Sequence, residues 1–232
     1  MRKHIPNIIT LANLVSGCIA VTMAFQGQFG WVMFWVAMAA IFDFLDGAAA
    51  QLLRAQSALG KELDSLADVV SFGVAPSMAL FVLMRNNLLF ADLLSPIAIF
   101  VPYIAFLIPA FSAYRLAKFN IDDRQTDSFF GLPTPANGLF WASFCFGILP
   151  FVDGCYYTLF LVIFFIFAIS FLMISEIPMF SFKIKKVGFR GNERQIGIVL
   201  LTIALFVFLG IIGIAMSILA YILLSILTKK LN

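Results

Sequence analysis

The sequence predicts an all-α, polytopic membrane helix bundle of about eight transmembrane helices. It reads as a single integral membrane domain over residues 1–232, with the N- and C-termini cytoplasmic. Three observations lead there. First, 62% of the 232 residues are hydrophobic and 12% are charged, with 28 Phe, and the mean hydropathy is +1.04. A soluble core of this length cannot hide so much apolar surface. Second, the apolar residues fall in long runs separated by short polar connections, as spans of roughly 20 residues require. Third, with eight spans and the N-terminus inside, fourteen of the fifteen Lys and Arg face the cytoplasm and only Arg85 lies outside, as the positive-inside rule favours.

The elements follow in order. Met1–His4 is a short basic start. No A-x-A cleavage site follows the first apolar run, so no cleavable signal peptide is expected. That run, residues 8–25, continues a stripe of Asn7, Thr10, Asn13 and Gly17 at intervals of three and four, which places them on one helix face. The stripe serves either as glue between helices or as one wall of a polar cavity. Past Gln26–Gly30 comes a second run, 31–53, and then a connection, 52–62, with Arg54 and Lys61. A third run extends from near Glu62 to about Met84, with Pro76 expected to kink or break it.

A fourth run, 93–114, is made irregular by Pro96, Pro102 and Pro109. It ends in YRLAKFN, Tyr114–Asn120, where Arg115 and Lys118 share a face. They can grip phosphate oxygens or a carboxylate, or simply flank a span on its cytoplasmic side. The loop 121–137 carries Asp122, Asp123 and Asp127, which read as solvated acids. Runs 136–150 and 156–174 are Phe-rich scaffold. Residues 175–195 set Lys183, Lys185, Lys186, Arg190 and Arg194 against Glu176 and Glu193, a basic loop suited to anionic headgroups. The last run, 196–228, is too long for one crossing, and Gly210 and Gly213 offer a turn between two short spans. A catalytic core of about 5–137 is thus followed by C-terminal helices of about 138–228.

The chemistry concentrates between Asp43 and Asp68, in DFLDGAAAQLLRAQSALGKELDSLAD. Asp43 and Asp46 lie three apart in one run, and Asp64 and Asp68 four apart in the next, so each pair shares a helix face. Ionisable groups at membrane depth are costly and mark functional sites. Four carboxylates in one place repel unless cations lie between them, and hard oxygen ligands suit Mg2+ or Mn2+. Gly47, Ala50 and Gly60 leave room for a second backbone or a flat ligand. Other chemistries find no support. His4 is the only histidine, and Cys18, Cys145 and Cys155 lack metal or disulfide spacing. No dinucleotide fingerprint, Walker loop or nucleophile elbow is present.

The pattern DxxDGxxA, then GxxxDxxxD, resembles the signature of the CDP-alcohol phosphotransferase family. Seven fixed positions, each matched at roughly one in fifteen or twenty, make chance agreement remote. The runs IPNIITLANLVSGC, SLADVVSFGVAPS, YRLAKFN, FFGLPTPANG and ISEIPMFSFK resemble its phosphatidylserine-synthase branch, so the likeness covers Ile5 to about Lys183. There are two departures: Gln51 stands where the family has Arg, and Lys118 replaces a second Arg of the branch.

The resemblance implies transfer of the phosphatidyl group of CDP-diacylglycerol to L-serine, giving phosphatidylserine and CMP. It assigns Asp43, Asp46, Asp64 and Asp68 as metal ligands, for two ions of Mg2+ or Mn2+, with Asp68 also the catalytic base. Gly47, Ala50, Gly60, Asn7, Thr10 and Asn13 fall to CDP binding. Arg115, Lys118 and Asn120 fall to phosphate or serine binding. It further implies a homodimer in the cell (inner) membrane, in contact with membrane lipid, with the site facing the cytoplasm and no nucleic acid partner. Two alternatives stay open: another acceptor, glycerol phosphate or inositol phosphate, and, in a different class, a divalent-cation transporter.

Overall fold

The computed structural model describes residues 4–86, 97–121, 129–152, 156–179 and 193–228. Helix α1 (Ile5–Phe25) opens with Pro6 in its first turn, where a missing N–H costs nothing. It turns back through Gly27, at φ +69°, into α2 (Phe29–Leu52). Ser57 then caps α3 (Ala58–Asp68), its Oγ accepting from the Gly60 N–H at 3.0 Å. This cap starts the third helix at Ala58, earlier than the sequence suggests.

Helix α3 does not stop at Asp68. Residues Val69–Val74 widen into a π-helical turn, and α4 (Ala75–Asn86) continues the rod. The expected break at Pro76 is therefore placed differently: the irregularity precedes the proline. Pro76 has no N–H to give the Phe72 carbonyl four residues back. The Asn137 amide donates to that carbonyl at 3.3 Å.

A 3₁₀ stretch, Ile97–Phe106, contains Pro102 and leads into α5 (Leu107–Ile121). Tyr114–Asn120 is thus fully helical. Strand β1 (Phe129–Phe130) pairs antiparallel with β2 (Pro178–Met179), Phe129 opposite Met179. This two-residue ladder is the one departure from an all-α fold among the described residues. Between its strands lie α6 (Thr134–Val152) and α7 (Tyr156–Ile174). The chain closes with α8 (Glu193–Leu209) and α9 (Ile212–Thr228). Gly210, at φ +66°, makes the expected turn between them, a conformation glycine adopts without steric cost.

Among the described residues, four helices are long and apolar enough to cross a membrane: Ile5–Phe25, Phe29–Leu52, Ala58–Asn86 and Ile99–Ile121. Thr158–Ile174, Ile196–Leu209 and Ile212–Leu227 are apolar but shorter. Seventeen residues rise only about 25 Å against a hydrocarbon layer of about 30 Å. Apolar side chains face outward on α1 (Ile8, Leu11, Val15) and α2 (Trp31, Phe34, Phe44). Lipid tails, as apolar as leucine, accept that surface.

The π turn is the centre of packing. A Cβ on Gly17 would come 2.7 Å from the Ser71 Cα, and one on Gly138 would come 2.7 Å from the Phe72 Cα. A Cβ on Gly73 would stand 3.1 Å from the Pro109 Cα. Small residues therefore let α1, α5 and α6 approach this one segment closely, the way membrane helices gain contact. Phe72 of the turn is fully buried, as are Leu80, Phe140 and Trp141. The Phe140 and Trp141 rings meet edge to face at 5.1 Å, a favoured aromatic geometry.

Candidate active site

The two carboxylate pairs meet because α2 and α3 are joined by a short turn and both pack on α1. Carboxylate oxygens of Asp43, Asp64 and Asp68 lie within 4.8 Å of one another. Asp46 is one turn further along α2, buried, its Oδ2 accepting from Thr10 Oγ1 at 2.6 Å. Asn13 Nδ2 donates to Asp68 Oδ1 at 3.2 Å, and Ser71 Oγ fixes that stretch of α1 by donating to the Asn13 carbonyl at 3.0 Å. The polar stripe of α1 is thus a wall of the site, and it orients two of the four acids.

These residues fit a divalent cation. Three converging carboxylates are a hard oxygen donor set, and Asp64 Oδ1 is buried with no hydrogen-bond partner among the described residues. A buried carboxylate oxygen left without a donor is rare and costly; a cation satisfies it.

Beside the acids opens a cavity of about 520 Å³. Asn7, Thr10, Asp46, Gly47, Ala50, Gly60, Lys61 and Asp64 are among its lining residues. A Cβ on Gly47 would meet nothing within 4 Å, so that glycine leaves cavity space open. At Gly60 a Cβ would come 3.2 Å from Asn7 Oδ1, which keeps α1 close to the start of α3. Asn13 faces Asp68 instead and does not line this cavity. Gln51 and Arg54, with Ala50 and Gln56, line a smaller hollow of about 280 Å³ that shares Ala50 and Gln56 with it.

The three residues at the end of α5 separate. Arg115 is buried, its Nη1 donating to Thr134 Oγ1 at 2.9 Å while Nε has no partner among the described residues. Its charge is attracted by that of Asp68. Lys118 instead pairs with Glu176 at 3.4 Å. Asn120 donates through Nδ2 to Ser65 Oγ at 2.9 Å, and its carbonyl accepts from Lys61 Nζ at 2.8 Å. Asp122, Asp123, Asp127, Cys155 and the basic cluster Lys183, Lys185, Lys186 and Arg190 lie outside the described residues, as do the side chains of Glu193 and Arg194.

Sequence reasoning missed Lys61, Ser71 and Thr134. Two carried a signal: Lys61 is three residues before Asp64, and Ser71 three after Asp68, so both share the acids' face. Thr134 reaches Arg115 only through tertiary packing.

Residues 3–169 match the family model described as CDP-alcohol phosphatidyltransferase. The chain is 32% identical over 181 residues to the CDP-diacylglycerol–serine O-phosphatidyltransferase of Bacillus subtilis, covering 78% of this chain and 92% of that protein. Proteins of the same name in Mycobacterium tuberculosis and Helicobacter pylori are similar too. The first is 32% identical over 182 residues, 75% of this chain and 60% of its own length. The second is 38% identical over 134 residues, 56% of this chain and 52% of its own length. The match thus spans nearly all of the Bacillus protein and little over half of the other two. On the family match, the Asp43–Asp68 motif and the helical bundle that brings its carboxylates together, the chain belongs to the CDP-alcohol phosphatidyltransferase family.

Proposed function

We propose that this protein transfers the phosphatidyl group of CDP-diacylglycerol to L-serine, releasing phosphatidylserine and CMP. The observation that carries this reading is the meeting of Asp43, Asp64 and Asp68 within 4.8 Å beside the open cavity. The identity to enzymes named for the serine reaction supports the choice of acceptor.

Asp43, Asp46, Asp64 and Asp68 would hold the metal, Mg2+ or Mn2+ and by resemblance two ions. When bound, it neutralises the substrate's diphosphate, which bare carboxylates would repel. The chain's own residues do the rest. Gly47, Ala50 and Gly60 leave room for the nucleotide, with Asn7 and Thr10 on the opposite wall. Asn13 holds Asp68 by Oδ1, which leaves the other carboxylate oxygen to take the proton of the serine hydroxyl. The serine oxygen then bonds to the phosphorus that bears diacylglycerol. The bond from that phosphorus to the bridging oxygen breaks, and CMP leaves with the electron pair. Arg115, attracted by the charge of Asp68 and with an N–H that no described residue accepts, binds a substrate phosphate or the serine carboxylate. Lys118 reaches substrate only by leaving Glu176.

The deciding experiment measures CMP release from CDP-diacylglycerol by purified protein with L-serine, glycerol 3-phosphate or inositol 1-phosphate. Serine alone is expected to support it. Equal release with glycerol 3-phosphate would replace the acceptor, and cation flux without CMP release would favour a transporter. The cytoplasmic orientation in the inner membrane belongs to the same proposal. Of single cysteines placed at Leu88 and Gly188, only the first should react with an impermeant reagent in whole cells. The mass of the detergent-solubilised particle measures whether two copies pair.

A further inference from the structure

Lys61 is the one cation that lines the main cavity among the described residues. Among those residues no carboxylate pairs with it, although Asp64 is three positions along the same helix. Its ammonium is held from the far side, Nζ donating to the Asn120 carbonyl at 2.8 Å. A further bond, Asn120 Nδ2 to Ser65 Oγ at 2.9 Å, ties the end of α5 to α3 at that place. The Ser65 hydroxyl in turn lies 3.2 Å from the Lys61 carbonyl. The lysine head is thus anchored by one of its three N–H donors, and two remain.

A cavity lined by acids and by an ammonium that no described carboxylate neutralises suits a ligand with anionic oxygens near a cation. We infer that Lys61 binds a phosphoryl oxygen of the nucleotide-linked substrate, with the Asn120 carbonyl setting where its charge stands. This rests on the transfer reaction proposed above and adds to it a ligand outside the family signature. A point charge with rotatable donors suits a phosphate whose position shifts as the bond to the leaving group lengthens. Asn120 accordingly acts as a positioning residue for Lys61.

The serine carboxylate offers similar oxygens, so the experiment separates the two sources. Wild-type protein, Lys61→Gln and Lys61→Arg are compared for CDP affinity by calorimetry in Mg2+. The Michaelis constants for CDP-diacylglycerol and for serine are measured in parallel. Lys61→Gln is expected to weaken CDP binding at least tenfold and to raise the constant for CDP-diacylglycerol similarly, with the constant for serine within threefold. Lys61→Arg should recover most of the CDP affinity, which a merely structural role for the amine would not explain. Unchanged CDP affinity in Lys61→Gln overturns the inference, as does a rise confined to serine. If Lys61→Gln does not fold, a Lys61→Arg protein that binds CDP tenfold more weakly also overturns it. Wild-type CMP release with serine is scored separately, so a failure of the reaction itself is told apart from a failure at Lys61.

Discussion

Replacing Thr10 by Val tests whether the wall formed by α1 controls the acids. Thr10 is 3% exposed, and its hydroxyl makes the shortest polar contact at the site, 2.6 Å to Asp46 Oδ2. Val keeps the shape and removes the donor. A hydrogen bond to a charged group is worth about 1.5–3 kcal/mol. At about 1.4 kcal/mol per decade, that is a factor of roughly ten to one hundred and fifty. Because Asp46 is read as a metal ligand, the loss should fall on metal affinity, in the range known for groups that orient ligands, about 10–100-fold.

The assay is CMP release from CDP-diacylglycerol and serine as a function of free Mg2+. Thr10→Val should shift half-saturation upward by tenfold or more while retaining much of the rate at saturating metal. Thr10→Ser keeps the hydroxyl and should stay within a few-fold of wild type. A Thr10→Val curve that overlays wild type within threefold, in protein that unfolds at the normal temperature, would refute the role given to this contact.

Asp43→Asn, Asp46→Asn and Asp64→Asn should lose metal-dependent CDP-diacylglycerol binding together with activity. Asp68→Asn should keep much of that binding while serine-dependent turnover falls about a hundredfold or more, because the amide cannot take a proton; equal loss of binding would make Asp68 a ligand first. Arg115→Ala should raise the Michaelis constant for one substrate or abolish turnover, and wild-type behaviour would reduce it to a structural partner of Thr134. Lys118→Arg should be tolerated, since the Glu176 pair is half exposed and such pairs contribute less than about 1 kcal/mol. Gly17→Ala should destabilise the fold by about 1–3 kcal/mol through overpacking against Ser71, read from thermal unfolding in detergent; an unchanged midpoint would show that α1 can move aside freely.

The acids were legible because their spacing is a local property. Asp43 with Asp46 and Asp64 with Asp68 share faces by helix geometry alone, and the small residues between them needed no tertiary information. The Gly210 turn was legible for the same reason, as a left-handed position that glycine fills easily. What escaped depends on residues far apart in the chain. Lys118 is 58 residues from Glu176 and Arg115 is 19 from Thr134, so periodicity could not tell which cation stays beside the acids. Pro76 drew attention to a kink, whereas the helix widens at Val69–Val74 before reaching it. Three close approaches also converge on that turn, at Gly17, Gly138 and Pro109, made by helices the local sequence does not mention.

The position of the π turn gives it a consequence for the site. An inserted residue rotates all that follows by about 100° relative to a regular α-helix. Before it, α3 has two environments: Asp68 is buried and Asp64 half-buried toward the acids, while Leu59 and Leu66 are exposed. After it, nearly every residue from Ala75 to Met84 is buried. A regular helix would have continued the polar face of α3 into the packed interior, where charge is costly. The turn ends that face at Asp68 and Ser71 and starts another, largely apolar face against α1, α2 and α6. One helix thereby holds half of the carboxylates at the cavity and also supplies the bundle's core. The packing of that core against α1 and α2 positions the helix that carries Asp64 and Asp68 opposite Asp43.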